Sequence, residues 1–188
     1  MLKTRKLIFV SCLVIIAALF FSYARGLYSV PVLMYHSVNP KTNPQMHSLI
    51  VSPESFARQM RFLKSHHYNV VSLEEVSRLM RGKKMVPSKT VAITFDDGFK
   101  DTYIYAYPVL KKLSFPATIS IIYDEVGRPQ GDRLSWDEIK EMQASGLIAI
   151  GSHTFGPEPL VDIRSEAELR RQIIDSKKAL EEKLKTPV

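Results

Sequence analysis

Thr90-Val-Ala-Ile-Thr-Phe-Asp-Asp-Gly-Phe99 decides how the rest of the chain is read. Its first six residues are uncharged and rich in apolar and β-branched types, the pattern of a strand buried on both faces. Two adjacent carboxylates follow, Asp96 and Asp97, and then Gly98, which permits a tight bend. Successive strand residues point to opposite faces, so both acids cannot point into the core while strand geometry holds. In α/β proteins the C-terminal ends of strands are where sites are built. Two acids behind an uncharged run are costly unless they bind a cation or move protons. The plain alternative is an Asx turn capping the next helix. A second strand-like run, Leu147–Ile150, continues into Gly151-Ser152-His153 and places an imidazole at an equivalent position.

Outward from this stretch, strand and helix patterns alternate. Ser29–His36 reads as a strand with Pro31 near its start. Asn39–Pro44 is a polar loop with two prolines. Ser52-Pro53 opens a helix with Phe56, Met60 and Leu63 at helical spacing, and His67 at its end. Tyr68–Ser72 is a short strand. Ser72, with Glu75 three residues on, starts a helix that ends at Arg81-Gly82. After the Asp-Asp-Gly stretch comes a helix from Asp101 to Leu113, in which Pro108 requires a kink or a late start. Phe115–Ile122 is a strand, and Ser135 with Glu138 caps a helix at Trp136–Ala144. A last helix from about Ser165 to Lys183 is expected to bury Leu169, Ile173, Ala179, Leu180 and Leu184.

Five such alternations imply parallel strands joined by right-handed crossovers. The fold class is α/β, with the strands forming an open sheet or a partial or distorted (β/α) barrel. A full barrel takes about eight strands and about 250 residues; this chain has 188. It stops on the approach to a further strand, so a domain over residues 28–188 is expected to lack its C-terminal part.

The first 24 residues are a separate unit. Lys3, Arg5 and Lys6 precede an uncharged apolar run from Leu7 to Phe21, and Ser22-Tyr23-Ala24 supplies small residues. This is the pattern of a signal peptide or, uncleaved, of a signal anchor holding the chain to the membrane through residues 7–23. In either case the remainder is exported, secreted or held on the outer face of the membrane.

Composition agrees with a globular exported domain: 45% hydrophobic and 24% charged. The formal net charge is +7; without the first 24 residues, 23 basic residues face 19 acidic ones, or +4. No run of Lys and Arg interleaved with aromatics is present, so nucleic acid is not indicated as a partner. Cys12 is the only cysteine and lies in the apolar run, which leaves the domain without thiol catalysis or a disulfide.

Asp97 and His153 are two ligands of a zinc-type site, which in catalytic form has three protein ligands and one position for water. Asp96 beside them suits a general base acting on that water. His36 ends the first strand and faces the same rim, either lining the pocket or fixing the strand by a hydrogen bond. His47, His66 and His67 read as loop or helix-surface residues. Tyr103, Tyr105 and Tyr107 read as packing and surface residues.

Val30–His36, Thr94-Phe-Asp-Asp-Gly98, Leu134-Ser-Trp-Asp137 and Ser152-His-Thr154 together resemble the polysaccharide deacetylases, the family-four carbohydrate esterases. The resemblance covers about residues 30–188. It implies a distorted barrel of parallel strands, a divalent metal, most often zinc, and removal of acetyl groups from an N-acetylated cell-wall or extracellular polysaccharide. It implies that Asp96 is the catalytic base and that Asp97 and His153 are metal ligands. The family's second motif carries a further histidine ligand where this chain has Pro157, which has no donor. Glu158, one residue on, is either a substitute third ligand or a solvated loop residue between two prolines. The family's later motifs, with an arginine and a second catalytic histidine, have no counterpart in this chain. A catalytically inactive or truncated glycan-binding protein is therefore the alternative to an active hydrolase.

Overall fold

A computed structural model describes residues 2–26, 29–41, 47–82 and 86–188, with side chains in the first segment at Lys6 and 10–21. The polar loop expected at Asn39–Pro44 falls partly outside these residues, as does residue 28 at the expected domain boundary.

The strands are β1 (Val32–Tyr35), β2 (Ser37–Val38), β3 (Ile50–Val51), β4 (Asn69–Val71), β5 (Thr90–Phe95), β6 (Ala117–Ile121) and β7 (Ile148–Ser152). The helices are α1 (Leu2–Gly26), α2 (Pro53–Ser65), α3 (Leu73–Arg81), α4 (Tyr107–Leu113), α5 (Trp136–Ala144), α6 (Glu166–Arg170) and α7 (Ser176–Leu184). The five expected strands form one sheet, and every pairing in it is parallel. β5 is its centre. β1 runs along Ala92–Phe95, β4 along Thr90–Ala92, and β6 along Thr94 and Phe95. β7 continues the sheet beyond β6. All six residues of β5 are buried, as a strand covered on both faces requires. The short parallel pair β2–β3 is an addition to the expected pattern; two residues are too few to leave a periodic signal.

Helix starts follow their caps. The Ser52, Ser72 and Ser135 hydroxyls accept from the N–H groups of Ser55, Glu75 and Glu138. Only Ser135 completes the reciprocal box, because the Glu75 carboxylate turns to Arg78 instead. Phe56, Met60 and Leu63 of α2 are buried as their spacing indicates, whereas His67 is exposed and lies past the helix end. Tyr35, Phe56 and Phe95 form one aromatic cluster, with ring centroids 5.1 to 5.8 Å apart. It props up the last residue of β5, directly before Asp96.

Two π segments modify the helices. The first, Thr102–Ala106, lies ahead of Pro108; Tyr107 donates its N–H to the Thr102 carbonyl. Proline can neither bond the carbonyl four residues back nor pack closely against it, and a wider turn absorbs the conflict. The second, Arg171–Asp175, joins α6 to α7. It inserts a residue into the helical phase and corrects the expected buried face. Ile173 is 54% exposed, while Gln172 and Ser176 turn inward with Leu180 and Leu184.

α1 stands apart in character. Its described apolar side chains, among them Val10, Ile16 and Phe20, are 52–70% exposed. Among the described residues no helix is long and apolar enough to cross a membrane.

The π-shifted register is open to test. Ile173→Ser is expected to change stability by less than about 0.5 kcal/mol, and Leu180→Ala to cost about 2–5 kcal/mol, in urea unfolding. Equal losses at both positions would restore the unbroken α-helical phase.

Candidate metal and catalytic centre

The site assembles where β1, β5 and β7 end. The Asp96 N–H donates to the Tyr35 carbonyl at 2.9 Å, extending the β1–β5 ladder by one bond. The chain then leaves strand geometry. Asp97 and Gly98 both adopt left-handed conformations, at φ +69° and +68°. Aspartate tolerates that region better than most residues, and glycine does so freely. Gly98 is also needed for space, since a Cβ there would meet Ile121 Cγ2 at 2.6 Å. The alternation of a strand thus stops applying at Phe95, and both carboxylates lie close enough to His153 to act on its charge.

His153 reaches the site from β7. Its N–H donates to the Ile121 carbonyl at 2.9 Å, and its Nε2 lies 3.3 Å from Asp97 Oδ1. Each group shifts the other. The hydrogen bond from His153 holds the Asp97 carboxyl below the usual range, against the opposing effect of burial, with help from the charges of His36 and Arg133. The same bond raises the His153 imidazole above its ordinary value, and the charges of Asp96 and Asp97 add to it. His36, one residue past β1, acts electrostatically on Asp97.

The donors suit a divalent cation. Two ligand atoms about 2.0–2.1 Å from zinc in a tetrahedron lie about 3.3–3.4 Å apart, which matches the observed separation. A third ligand is another matter. Among the described residues no three His, Cys, Asp or Glu side chains are grouped so as to hold a metal. Glu158 does not join Asp97 and His153. It is exposed between two prolines, and its carboxylate folds back over Gly156, within 2.5 Å of where a Cβ on that residue would stand.

Two residues that the sequence did not single out hold the site together. Gln172, buried in the second π segment, accepts through Oε1 from the N–H groups of Phe155 and Gly156, at 2.9 and 2.8 Å. It thereby ties down the loop that follows His153. Arg133 stacks on Phe99 at 3.9 Å and donates to buried Glu125 at 3.1 Å. Its backbone pairs with Phe99, and Leu134 donates to the Gly98 carbonyl at 3.0 Å. The segment 132–134 is a strap over the Asp97-Gly98 turn. Neither role has a local sequence signal, because each partner is distant along the chain.

A cavity of about 820 Å³ lies between β1 and α2 and is lined by Leu33, Tyr35, Arg58, Phe62 and Val91 among others. It contains none of the acids or histidines at the strand ends, so it does not mark the chemical centre.

The paired shifts have a definite pH signature in the metal-free chain. Asp97 stabilises the fold above its unfolded value near 3.9, and this is lost as pH falls through its lowered pKa. His153 stabilises it below about 6.5, and this is lost as pH rises through its raised pKa. Imidazole NMR is expected to show His153 titrating above about 6.5 and moving down in Asp97→Asn. No movement would mean that the 3.3 Å contact does not persist in solution.

Comparison with known proteins follows the same lines. The sequence model of the polysaccharide deacetylase family matches residues 83–188. The chain is 36% identical over 149 residues to YxkH of Bacillus subtilis, whose name places it among polysaccharide deacetylases; this covers 79% of this chain and 50% of that one. It is 38% identical over 107 residues to a poly-β-1,6-N-acetyl-D-glucosamine N-deacetylase of Staphylococcus aureus, covering 55% of this chain and 37% of the relative. Among solved structures, the deacetylase PplD of Streptococcus pyogenes, in complex with acetate, superimposes with a TM-score of 0.76 at 30% identity, over 86% of this chain and 71% of that one. The chain spans half or less of the length of these curated relatives.

Proposed function

The chain belongs to the polysaccharide deacetylase family, and from that premise we propose that it is a metal-dependent hydrolase removing N-acetyl groups from a cell-wall or extracellular polysaccharide. The observation that carries this reading is the Asp97–His153 pair, 3.3 Å apart at the strand ends, with Asp96 adjacent in sequence and acting on the same imidazole.

Asp97 Oδ1 and His153 Nε2 would hold the divalent metal, most readily zinc given one carboxylate and one imidazole. When bound, such a metal lowers the pKa of water and polarises a carbonyl. Asp96 takes the proton from the attacking water as its oxygen adds to the acetyl carbon. The carbon–nitrogen bond then breaks, acetate leaves, and the proton passes to the departing amine. The raised pKa of His153 bears on loading, because the imidazole must lose its proton before it can bind a metal. His36 lies beside the pair and would line the pocket that receives the acetamido group.

Export supports the same substrate class, since a polysaccharide outside the cytoplasm requires an enzyme delivered there. We assign residues 1–24 to a signal peptide or anchor on the strength of Lys3, Arg5 and Lys6 ahead of an uncharged apolar helix. A second reading, an inactive glycan-binding relative, is favoured by one observation: Pro157 stands where a third ligand is expected, and no described carboxylate, imidazole or thiol replaces it.

The test is metal content and acetate release measured together on an N-acetylglucosamine oligomer. Asp97→Ala is expected to lose both. Asp96→Asn is expected to keep the metal and lose about 10²- to 10⁴-fold in rate. Metal binding is expected to weaken on acidification from above about pH 6.5. Neither metal nor acetate from the folded parent would sink the hydrolase reading and leave the glycan-binding one.

A further inference from the structure

Thr154, the residue directly after His153, stands at φ +78°. Left-handed backbone is uncommon for any side chain and a true outlier for a β-branched one. Such a conformation persists only where its surroundings over-determine it, and it collects at functional sites. The outlier here is the immediate neighbour of the imidazole that pairs with Asp97.

The surroundings hold this loop from two sides. On the β6 side, the Thr154 carbonyl accepts from the Tyr123 N–H at 3.2 Å, and the Phe155 carbonyl accepts from the Asp124 N–H at 2.9 Å. The Tyr123 and Phe155 rings lie 4.9 Å apart. These contacts satisfy carbonyls and leave the N–H groups of Phe155 and Gly156 in need of an acceptor. β7 has ended at Ser152, so no ladder offers one, and a buried N–H without a partner keeps its full desolvation cost. Gln172 Oε1 serves both groups, at 2.9 and 2.8 Å.

Gln172 is itself fixed. It is 1% exposed, and its Nε2 donates to Glu168 Oε1 at 3.0 Å. The amide therefore has one orientation, acceptor toward the loop and donor toward Glu168. Arg171 beside it lays its guanidinium over the Phe155 ring at 4.4 Å and pairs with Glu168 at 3.0 Å. Both residues open the π segment Arg171–Asp175, and π turns are frequent at functional sites.

We propose that Gln172 is the positioning residue of the metal ligand His153. By accepting from the two loop N–H groups it holds Thr154 left-handed, and that backbone turn keeps the imidazole beside Asp97. The proposal rests on the metal-site reading of the Asp97–His153 pair, and it adds that the affinity of the pair for a cation is set from the C-terminal helical segment.

The experiment uses the full chain and zinc alone, in competition with a chelator. Gln172→Met keeps the side-chain volume and removes the acceptor. It is expected to bind zinc about 10- to 100-fold more weakly than the parent. Gln172→Glu combined with Glu168→Gln exchanges donor and acceptor along the same contact and is expected to restore the parent affinity, which a role in packing alone would not do. Unchanged affinity in Gln172→Met, or no recovery in the exchange variant, would overturn the proposal. Amide hydrogen exchange in the metal-free chain is the second readout. In Gln172→Met the His153 N–H is expected to exchange about tenfold faster, together with those of Phe155 and Gly156, while Ala92–Phe95 of β5 are unchanged. Faster exchange at Phe155 and Gly156 alone would mean that the clamp holds the loop without placing the histidine, and it too would overturn the proposal. If the parent takes up no zinc, the metal-site reading fails, and the exchange comparison still decides. Should Gln172→Met not fold, Gln172→Asn, which withdraws the acceptor by one methylene, takes its place in both measurements.

Discussion

Two consecutive left-handed residues, Asp97 and Gly98, carry the rest of the rim. They convert the end of a buried strand into a turn that can present both acids to one place, which strand geometry forbids. The turn is confined from three sides. Ile121 packs against Gly98 closely enough to exclude a side chain. The Leu134 N–H holds the Gly98 carbonyl. The aromatic cluster of Tyr35, Phe56 and Phe95 fixes the strand below. Backbone conformations of this kind persist only where the surroundings over-determine them, and these surroundings come from β1, β5, β6, α2 and the strap at 132–134.

His153 is positioned with comparable care from another direction. Its backbone extends the β6–β7 ladder, and the loop after it is held by Gln172. The pair is thus a meeting of two independently supported elements. That arrangement suits a site that must keep two metal-type donors near 3.3 Å, because neither donor relies on the other for its place.

The five-stranded parallel sheet was legible because its signals are local. An uncharged β-branched run marks β5, and serines at 52, 72 and 135 mark helix starts. The acids and His153 were legible because they end such runs. What was hidden depends on distant partners or on phase. The π turn at Arg171–Asp175 exchanges Ile173 for Gln172 on the buried face, and no periodicity reports an inserted residue in advance. Arg133 matters through Phe99 and Glu125, in a loop without pattern. Glu158 was chosen by its proximity in sequence to Pro157, but flanking prolines and the fold over Gly156 decide where its carboxylate goes.

The Gln172 clamp also sets an order of loss. Two N–H groups of the loop after His153 depend on one side chain in the C-terminal helical segment, and Ser176 on the same face bonds Ser152 of β7 at 2.7 Å. Leu180 and Leu184 of the same segment are buried in the core, so loosening their packing would free Gln172, and with it the loop after His153, while β5 and its acids stay in place.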